Sequence, residues 1–347
     1  MDIQTKAVLS SALAYGITAA LTPMMIRLAP RIGAVDVPQD DRRLHSRPIP
    51  RSGGIAIFAA FLLALGMIGG SGAGMIRFLL GAEIVVLLGV LDDVFRLPAL
   101  LKLTVQILAC ALTTWRGGWQ GLLSLIWLLT LVNAHNMIDG MDGLSCSIAA
   151  IEAFALSVVL MLQDQPFLSG VALILCGCAL GFLPYNSHPA RVFMGDAGSQ
   201  LLGFVLGYVS LCIDCKGAGH LGWMIAPLIF AVPLSDLTFA VLRRLCRGQS
   251  PFAADRGHWH HRLIDRGLGQ RHALFWLALF CLLLSISGVL VSRRAWYGMA
   301  VYALLWTICS VIFLEVLNGN GKEQKNTEAF LCYTENADQS KNASLKK

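Results

Sequence analysis

Residues 131–150, "LVNAHNMIDGMDGLSCSIAA", place Asn133, Asn136, Asp139 and Asp142 three residues apart between apolar flanks. Two adjacent carboxylates, Asp92 and Asp93, close the apolar run ending "LLGVLDD", and Asp196 sits between two glycines in "FMGDAGS". Carboxylates gathered in one place repel one another unless cations intervene. Mg2+ suits such a site, since it takes oxygen ligands, usually one or two carboxylates together with phosphate oxygens and water. Glycines flanking Asp196 let backbone amides approach a ligand, and a helix starting there would favour a phosphate that Asp196 could reach through a metal.

A spacing of three drifts by about 60° per step on an α-helix, so the four polar groups of 133–142 would fan over half of its circumference. Gly140 and Gly143 permit a break, and the expectation is an interrupted helix end lining a cavity, where irregular backbone is tolerated at membrane depth. A simple turn between two helices is the alternative. The stretch "DRGHWHHRL" adds His258, His260 and His261 between Arg256 and Arg262. Imidazoles beside guanidiniums suit an anionic phosphate or sugar. Zinc, or a merely structural loop, remains open for the same residues. The pair Cys212 and Cys215 in "CIDC" has no second pair to complete a metal site and is read as coincidence.

The elements holding these groups are apolar. The chain has 347 residues, 56% hydrophobic and only 14% charged, and a mean hydropathy of +0.65. A soluble domain carries about a quarter charged residues, so a membrane protein is expected. Apolar windows near 5–29, 53–70, 76–91, 98–115, 119–135, 144–162, 167–184, 198–214, 221–242, 272–291 and 295–317 predict an all-α polytopic membrane protein. That gives about eleven transmembrane helices in a single domain, 1–317. The first window is long enough to span and lacks a convincing cleavage site, so no cleavable signal peptide is expected. The polar tail 318–347 is expected to be disordered.

With Met1 outside, the inner loops collect Arg27, Arg31, Arg42, Arg43, Arg47, Arg51, Arg96, Arg191, Arg243, Arg244, Arg247, Arg256, Arg262, Arg266 and Arg271. The outer ends keep only Lys6, Arg77, Arg116, Lys216, Arg293 and Arg294, the asymmetry of a cytoplasmic basic face. Every unusual polar stretch falls on that same face. A carboxylate cluster suited to a divalent cation, basic donors and a lipid-accessible cytoplasmic cavity together suit phosphoryl transfer from a soluble phosphorylated donor to a lipid phosphate. A cation- or proton-coupled transporter is the competing class, but it should hold several acids near the bilayer midplane rather than at helix ends.

The ordered set "PRSGG", "LDD" with "KLTVQ", "NAHNMIDGMDGL", "PARVFMGDAGS" and "DRGHWHHRLIDRGLGQ" resembles the polyprenyl-phosphate N-acetylhexosamine-1-phosphate transferases from about Asp36 to Arg271. The sister muramoyl-pentapeptide transferases typically have Met before the paired glycines and three consecutive histidines in the last loop. "PRSGG" and "HWHHRL" depart from both and favour an aminosugar donor. The resemblance implies that UDP-N-acetylhexosamine and polyprenyl (undecaprenyl) phosphate give polyprenyl-diphospho-N-acetylhexosamine and UMP. It implies Mg2+, with Mn2+ as a substitute, and a bacterial inner-membrane location with the active site facing the cytoplasm. Nucleic acid is not an expected partner; a homodimer is left open.

By the same resemblance Asp92 and Asp93 are the acidic pair, one of them the candidate base, and Asp196 is catalytic. Asn136 and Asp196 hold Mg2+ on the diphosphate, and Lys102 neutralises developing phosphate charge. Asp139, Asp142, Asn186 and Phe193 line the nucleoside side, with the Phe193 ring available to uracil. His258, His260, His261 and Arg262 meet the sugar or its diphosphate, and Arg51 joins them from the first loop.

Overall fold

The computed structural model describes residues 2–38, 47–70, 72–216, 219–250 and 257–293, with positions 299, 302 and 304. Apart from those three positions, the expected span 295–317 and the tail 318–347 lie outside the described residues, as do Arg42, Arg43, Asp255 and Arg256. Every element and site residue described here belongs to the unit Met1–Met299.

Twelve α-helices follow one another among the described residues. They are α1 (Ile3–Ile32), α2 (Gly53–Ile68), α3 (Ala73–Phe95), α4 (Ala99–Thr114), α5 (Gly118–Ile138) and α6 (Leu144–Leu162), then α7 (Pro166–Asn186), α8 (Gly195–Ser210), α9 (Ile225–Ile229), α10 (Ala231–Cys246), α11 (Trp259–Asp265) and α12 (Gln270–Ser292). Six of these, α1, α3, α5, α6, α7 and α12, are long and apolar enough to cross a membrane. A seventh span results if the segment Gly222–Ile229 and α10, bent by 75° at their junction, count as one. The apolar window read over 221–242 is thus a broken element, and its break falls at Phe230.

The outer helices present large apolar side chains to their surroundings, among them Val8, Leu87, Leu108 and Leu123, each more than half exposed. A soluble monomer rarely exposes such continuous apolar surface, whereas hydrocarbon is its natural solvent. The polytopic membrane class is therefore that of the fold.

At the centre lies α8, in which every residue from Gly195 to Ser210 except Tyr208 is buried. It packs against α2, α3 and α5. Missing side chains allow the close approach: a Cβ on Gly89 of α3 would lie 2.3 Å from the Ala197 backbone, and one on Gly203 of α8 would lie 2.4 Å from the Leu131 carbonyl of α5. Small residues at helix contacts do this work in membranes, where apolar side chains gain little by leaving lipid. The start of α8 is thereby set against α3, and its middle against α5.

A small antiparallel ladder, not expected from the sequence, steadies the first loop. β1 (Val35–Asp36) pairs with β2 (Ile49–Pro50) in the register Val35↔Pro50 and Asp36↔Ile49. The strand continues as a bridge: Phe193 N donates to Pro50 O at 2.8 Å, Gly53 N to Phe193 O at 3.1 Å and Gly54 N to Met194 O at 2.8 Å. Arg51 is held in that bridge, directly before α2 and beside the start of α8.

Candidate active site

The ends of α3, α5 and α7 and the starts of α2, α4, α6 and α8 meet at one end of the bundle. Asp92 and Asp93 end α3, and Asp93 is nearly inaccessible. Its Oδ1 accepts the Asp196 amide at 3.0 Å and its Oδ2 accepts the Ala197 amide at 3.4 Å. A carboxylate there satisfies amides that a helix start leaves without partners and complements the positive end of the helix dipole.

Two cations thread the acids together. Arg51 Nε lies 3.2 Å from Asp93 Oδ1, and its terminal nitrogen lies 3.0 Å from Asp196 Oδ1. Lys102 Nζ, from the first turn of α4, reaches Asp92 Oδ2 at 2.8 Å and Asp196 Oδ2 at 3.4 Å. Burial disfavours the charge on Arg51, but Asp93, Asp196, Asp139 and Asp92 outweigh it and raise its pKa above the usual value. Asp92 Oδ1 also accepts the Leu97 amide at 2.7 Å, which fixes the turn into α4. Part of the carboxylate repulsion read from the sequence is thus relieved by the chain's own Arg51 and Lys102.

The Asn–Asn–Asp–Asp series is interrupted as expected, but its members do not converge. Asn133 and Asn136 lie on α5, Asp139 caps it, and Asp142 lies in the turn to α6. Asn136 Oδ1 accepts the Ser199 hydroxyl at 2.8 Å, which ties it to the first turn of α8. Asp139 lines the interior close to Arg51, and burial, with Asp196 and Asp142 adding to it against Arg51, pushes its pKa up to about 7. Asp142 instead holds the 187–194 loop, meeting His188 Nδ1 at 2.8 Å and the Ala190 amide at 3.1 Å. Asn186 is committed to backbone at both ends, accepting from Gly143 N at 3.1 Å and donating to Val192 O at 3.0 Å. The loop it braces carries Phe193, which is partly exposed.

The histidines sit on α11 and its cap. His258 Nδ1 lies 2.7 Å from Asp236 Oδ2, and the Trp259 amide donates to Asp236 Oδ1 at 3.0 Å. Asp236, on α10, carries no motif in the sequence; only its polarity within an apolar run marks it. The His258 and His260 rings lie parallel with centroids 5.8 Å apart, and His260 and His261 are 4.3 Å apart. His260 presses on the 139–143 turn, so a Cβ on Gly140 would lie 2.5 Å from its Nε2. Both its ring nitrogens are buried without a hydrogen-bond partner among the described residues. Burial, then the neighbouring His261, pushes its pKa down to about 3. Arg262 Nε donates to Gly257 O at 2.9 Å. A second polar pair, His135 Nε2 and Glu152 Oε2 at 3.0 Å, is fully enclosed between α5 and α6.

Among the described residues, no three carboxylates, imidazoles or thiols are grouped as a metal site, at the histidines or at the acids; zinc takes four protein or water ligands, whereas Mg2+ needs only one or two protein carboxylates beside phosphate and water. The donors fit Mg2+ better. Lys102 brings the Asp92 and Asp196 carboxylates to one ammonium, and the Asn136 carboxamide is joined to the first turns of α8 through Ser199. Two carboxylates and a neutral oxygen, completed by phosphate oxygens, form the set that this ion uses.

Residues 75–214 match glycosyl transferase family 4. The chain is 33% identical over 319 residues to the protein of Bacillus subtilis (strain 168) named probable undecaprenyl-phosphate N-acetylglucosaminyl 1-phosphate transferase, covering 86% of this chain and 87% of that one. It is 32% identical over 316 residues to the decaprenyl-phosphate N-acetylglucosaminephosphotransferase of Mycobacterium tuberculosis (strain ATCC 25618 / H37Rv), covering 75% and 77%. With the undecaprenyl-phosphate alpha-N-acetylglucosaminyl 1-phosphate transferase of Escherichia coli (strain K12) it shares 30% over 288 residues, covering 76% and 78%. The chain belongs to the polyprenyl-phosphate N-acetylhexosamine-1-phosphate transferases of glycosyl transferase family 4.

Proposed function

We propose that this phosphoglycosyl transferase moves N-acetylglucosamine 1-phosphate from UDP-N-acetylglucosamine to polyprenyl phosphate and releases UMP, as the first step of a cell-envelope polysaccharide. The observation that carries this reading is the convergence of Arg51 and Lys102 on Asp92, Asp93 and Asp196, drawn from four separate segments. A phosphate oxygen of the lipid attacks the sugar-bearing phosphorus, the bond to UMP breaks, and UMP departs with the electron pair. Negative charge crowds the reacting oxygens throughout, so positioning and electrostatic stabilisation supply most of the acceleration.

Asp196 and Asn136 would hold Mg2+, which would neutralise charge on the diphosphate. Lys102 stands ready to move from carboxylate to phosphate as charge develops, and Arg51 does the same from the opposite side. Asp92 holds Lys102, whose ammonium orients the acceptor phosphate; that phosphate is already an anion near neutral pH, so it needs little help from a base. Asp139 and Phe193 lie toward the nucleoside, and His260, with its unpartnered ring nitrogens, lies toward the sugar along with His258, His261 and Arg262. Asp142 and Asn186 serve the nucleoside side indirectly, through the loop they brace.

The shorter apolar helices α2 and α4, and α8, complete the bundle as further spans, ten among the described residues, with an eleventh expected over 295–317. Arg27, Arg31, Arg51, Arg96, Arg191, Arg243 and Arg244 belong to the end of the bundle that carries the site, which supports a cytoplasmic site in a bacterial inner membrane. The acids stand at helix ends, which does not favour a transporter.

Purified protein given Mg2+, polyprenyl phosphate and radiolabelled UDP-N-acetylglucosamine should form a labelled lipid extractable into chloroform, and EDTA should abolish it. Failure with every UDP-N-acetylhexosamine tested would remove the proposal; a parallel series of UDP-sugars identifies the donor.

A further inference from the structure

Below the acid cluster, three carboxamides join α8, α4 and α5. Gln200 Nε2 donates to Asp196 Oδ2 at 3.4 Å, Gln106 Nε2 donates to Gln200 Oε1 at 3.1 Å, and Asn133 Nδ2 donates to Gln106 Oε1 at 3.0 Å. Gln200 is wholly inaccessible and Gln106 nearly so. Each lies one helical turn from a residue of the proposed chemistry: Gln200 follows Asp196, Gln106 follows Lys102, and Asn133 precedes Asn136. Such polar groups inside a membrane bundle face the interior and satisfy one another, because lipid offers them no partner.

The direction of the chain is forced. Asp196 Oδ2 already receives Lys102 Nζ at 3.4 Å, and Oδ1 receives Arg51 at 3.0 Å, so both oxygens act as acceptors. A carboxamide has one donating and one accepting end. Gln200 must therefore turn its NH2 toward Asp196, which leaves its oxygen for the NH2 of Gln106, whose oxygen then takes the NH2 of Asn133. The amides run head to tail, and hydrogen bonds in such a row polarise one another.

We propose that Gln200 and Gln106 are positioning residues for the transfer: their one-way chain fixes the rotation of the Asp196 carboxylate between Lys102 and Arg51. The inference rests on the transferase reading of Asp196, and it assigns a role to the "Q" of "KLTVQ" and to Gln200. A mere brace between helices would need hydrogen bonds of either polarity, whereas this role needs one polarity.

The deciding variant is Gln106→Glu, which keeps the size and is assayed toward alkaline pH, where the ionised carboxylate can only accept, whereas the neutral acid could still donate to Gln200. Gln200 must then turn its NH2 to Glu and its oxygen to Asp196. The expectation is a kcat lowered roughly tenfold or more, the range for outer-shell partners of a metal site, with KM for UDP-N-acetylglucosamine within about twofold. Asn133→Leu, at the far end, leaves the polarity at Asp196 intact and should stay within about twofold of the wild-type kcat. Gln106→Met breaks the chain without adding charge. It should weaken Mn2+ binding, read from the free-ion EPR signal of the detergent-solubilised protein, roughly tenfold, and it carries the kcat prediction as well if Gln106→Glu does not accumulate. Wild-type kcat in Gln106→Glu with wild-type Mn2+ binding in Gln106→Met would overturn the inference, as would an equal loss in Asn133→Leu. If the wild-type protein itself makes no labelled lipid, the transferase reading falls, while Mn2+ binding still decides the role of the chain.

Discussion

Asp93 clasps the helix that carries Asp196: its two oxygens take the amides of Asp196 and Ala197 at 3.0 and 3.4 Å. The last turn of α3 and the first turn of α8 therefore form one unit, and Arg51 closes it by contacting both carboxylates. Acids about a hundred residues apart in the chain are set within one hydrogen bond of each other by this contact.

Asp93 therefore carries two duties, as charge at the site and as cap for α8. Asp93→Asn, Asp92→Asn and Asp196→Asn should each lower the transfer rate at least about a hundredfold, since each removes a charge contribution of a few kcal/mol. Asp93→Asn should in addition lower the melting temperature more than Asp196→Asn, because Asp93 accepts two amides of the α8 start and capping contacts of this kind contribute about 1 kcal/mol. Full activity in all three, measured as labelled lipid formed per minute, would remove the acids from the chemistry.

The α3–α8 contact depends on what Gly89 lacks. A Cβ there would lie 2.3 Å from the nitrogen of Ala197, a backbone atom that cannot rotate aside. Gly89→Ala should push the start of α8 away, lowering activity sharply and stability by about 1–3 kcal/mol. A Cβ on Gly66 of α2 would meet nothing within 4 Å, so Gly66→Ala should leave both unchanged or slightly raise stability. A Gly89→Ala variant as active as Gly66→Ala would show that the interface tolerates displacement.

Asp236 acts through His258. The 2.7 Å contact engages Nδ1 and directs Nε2 away from α10, and the bond to the Trp259 amide holds the start of α11. Asp236→Ala should reduce activity to about the level of His258→Ala, and the double variant should be little worse than either, as for residues acting as a unit. Additive losses in this cycle would mean that Asp236 works independently of the histidine.

The motifs announced the acids because charge is conspicuous in an apolar sequence, and hydropathy windows found nearly every helix. Partners were less legible. Gln106, Gln200 and Asp236 sit in runs where a single polar residue resembles a helix face turned to water; only the packing of α4 against α8 shows that the two glutamines meet, and only the start of α11 against α10 that Asp236 meets His258. Residues 133–142 gave away the break after α5, since Gly140 and Gly143 advertise it. Their period of three did not reveal that Asn133 turns to Gln106, Asn136 to Ser199 and Asp142 to His188, three different elements. The bend at Phe230 was hidden because apolar composition persists through it, and the pairing of Val35–Asp36 with Ile49–Pro50 because two-residue strands leave no alternation to read.

Asp139 supplies a test that needs no substrate. Burial, against the opposing charge of Arg51, holds its folded pKa at about 7, while an unfolded chain releases the same proton near pH 3.9. The folded state therefore keeps a proton that the unfolded state has lost. The resulting stability is fully present below about pH 4, declines as pH rises, and is lost above about pH 7. Asp139→Asn mimics the protonated form and has no such dependence. Melting temperatures of the detergent-solubilised protein without divalent ions should lie closest together below about pH 4 and separate as pH rises, with Asp139→Asn the more stable at about pH 8. A wild type that gains on the variant as pH rises would mean that Arg51, not burial, governs this carboxylate, and that Asp139 faces a wetter cavity than its packing implies.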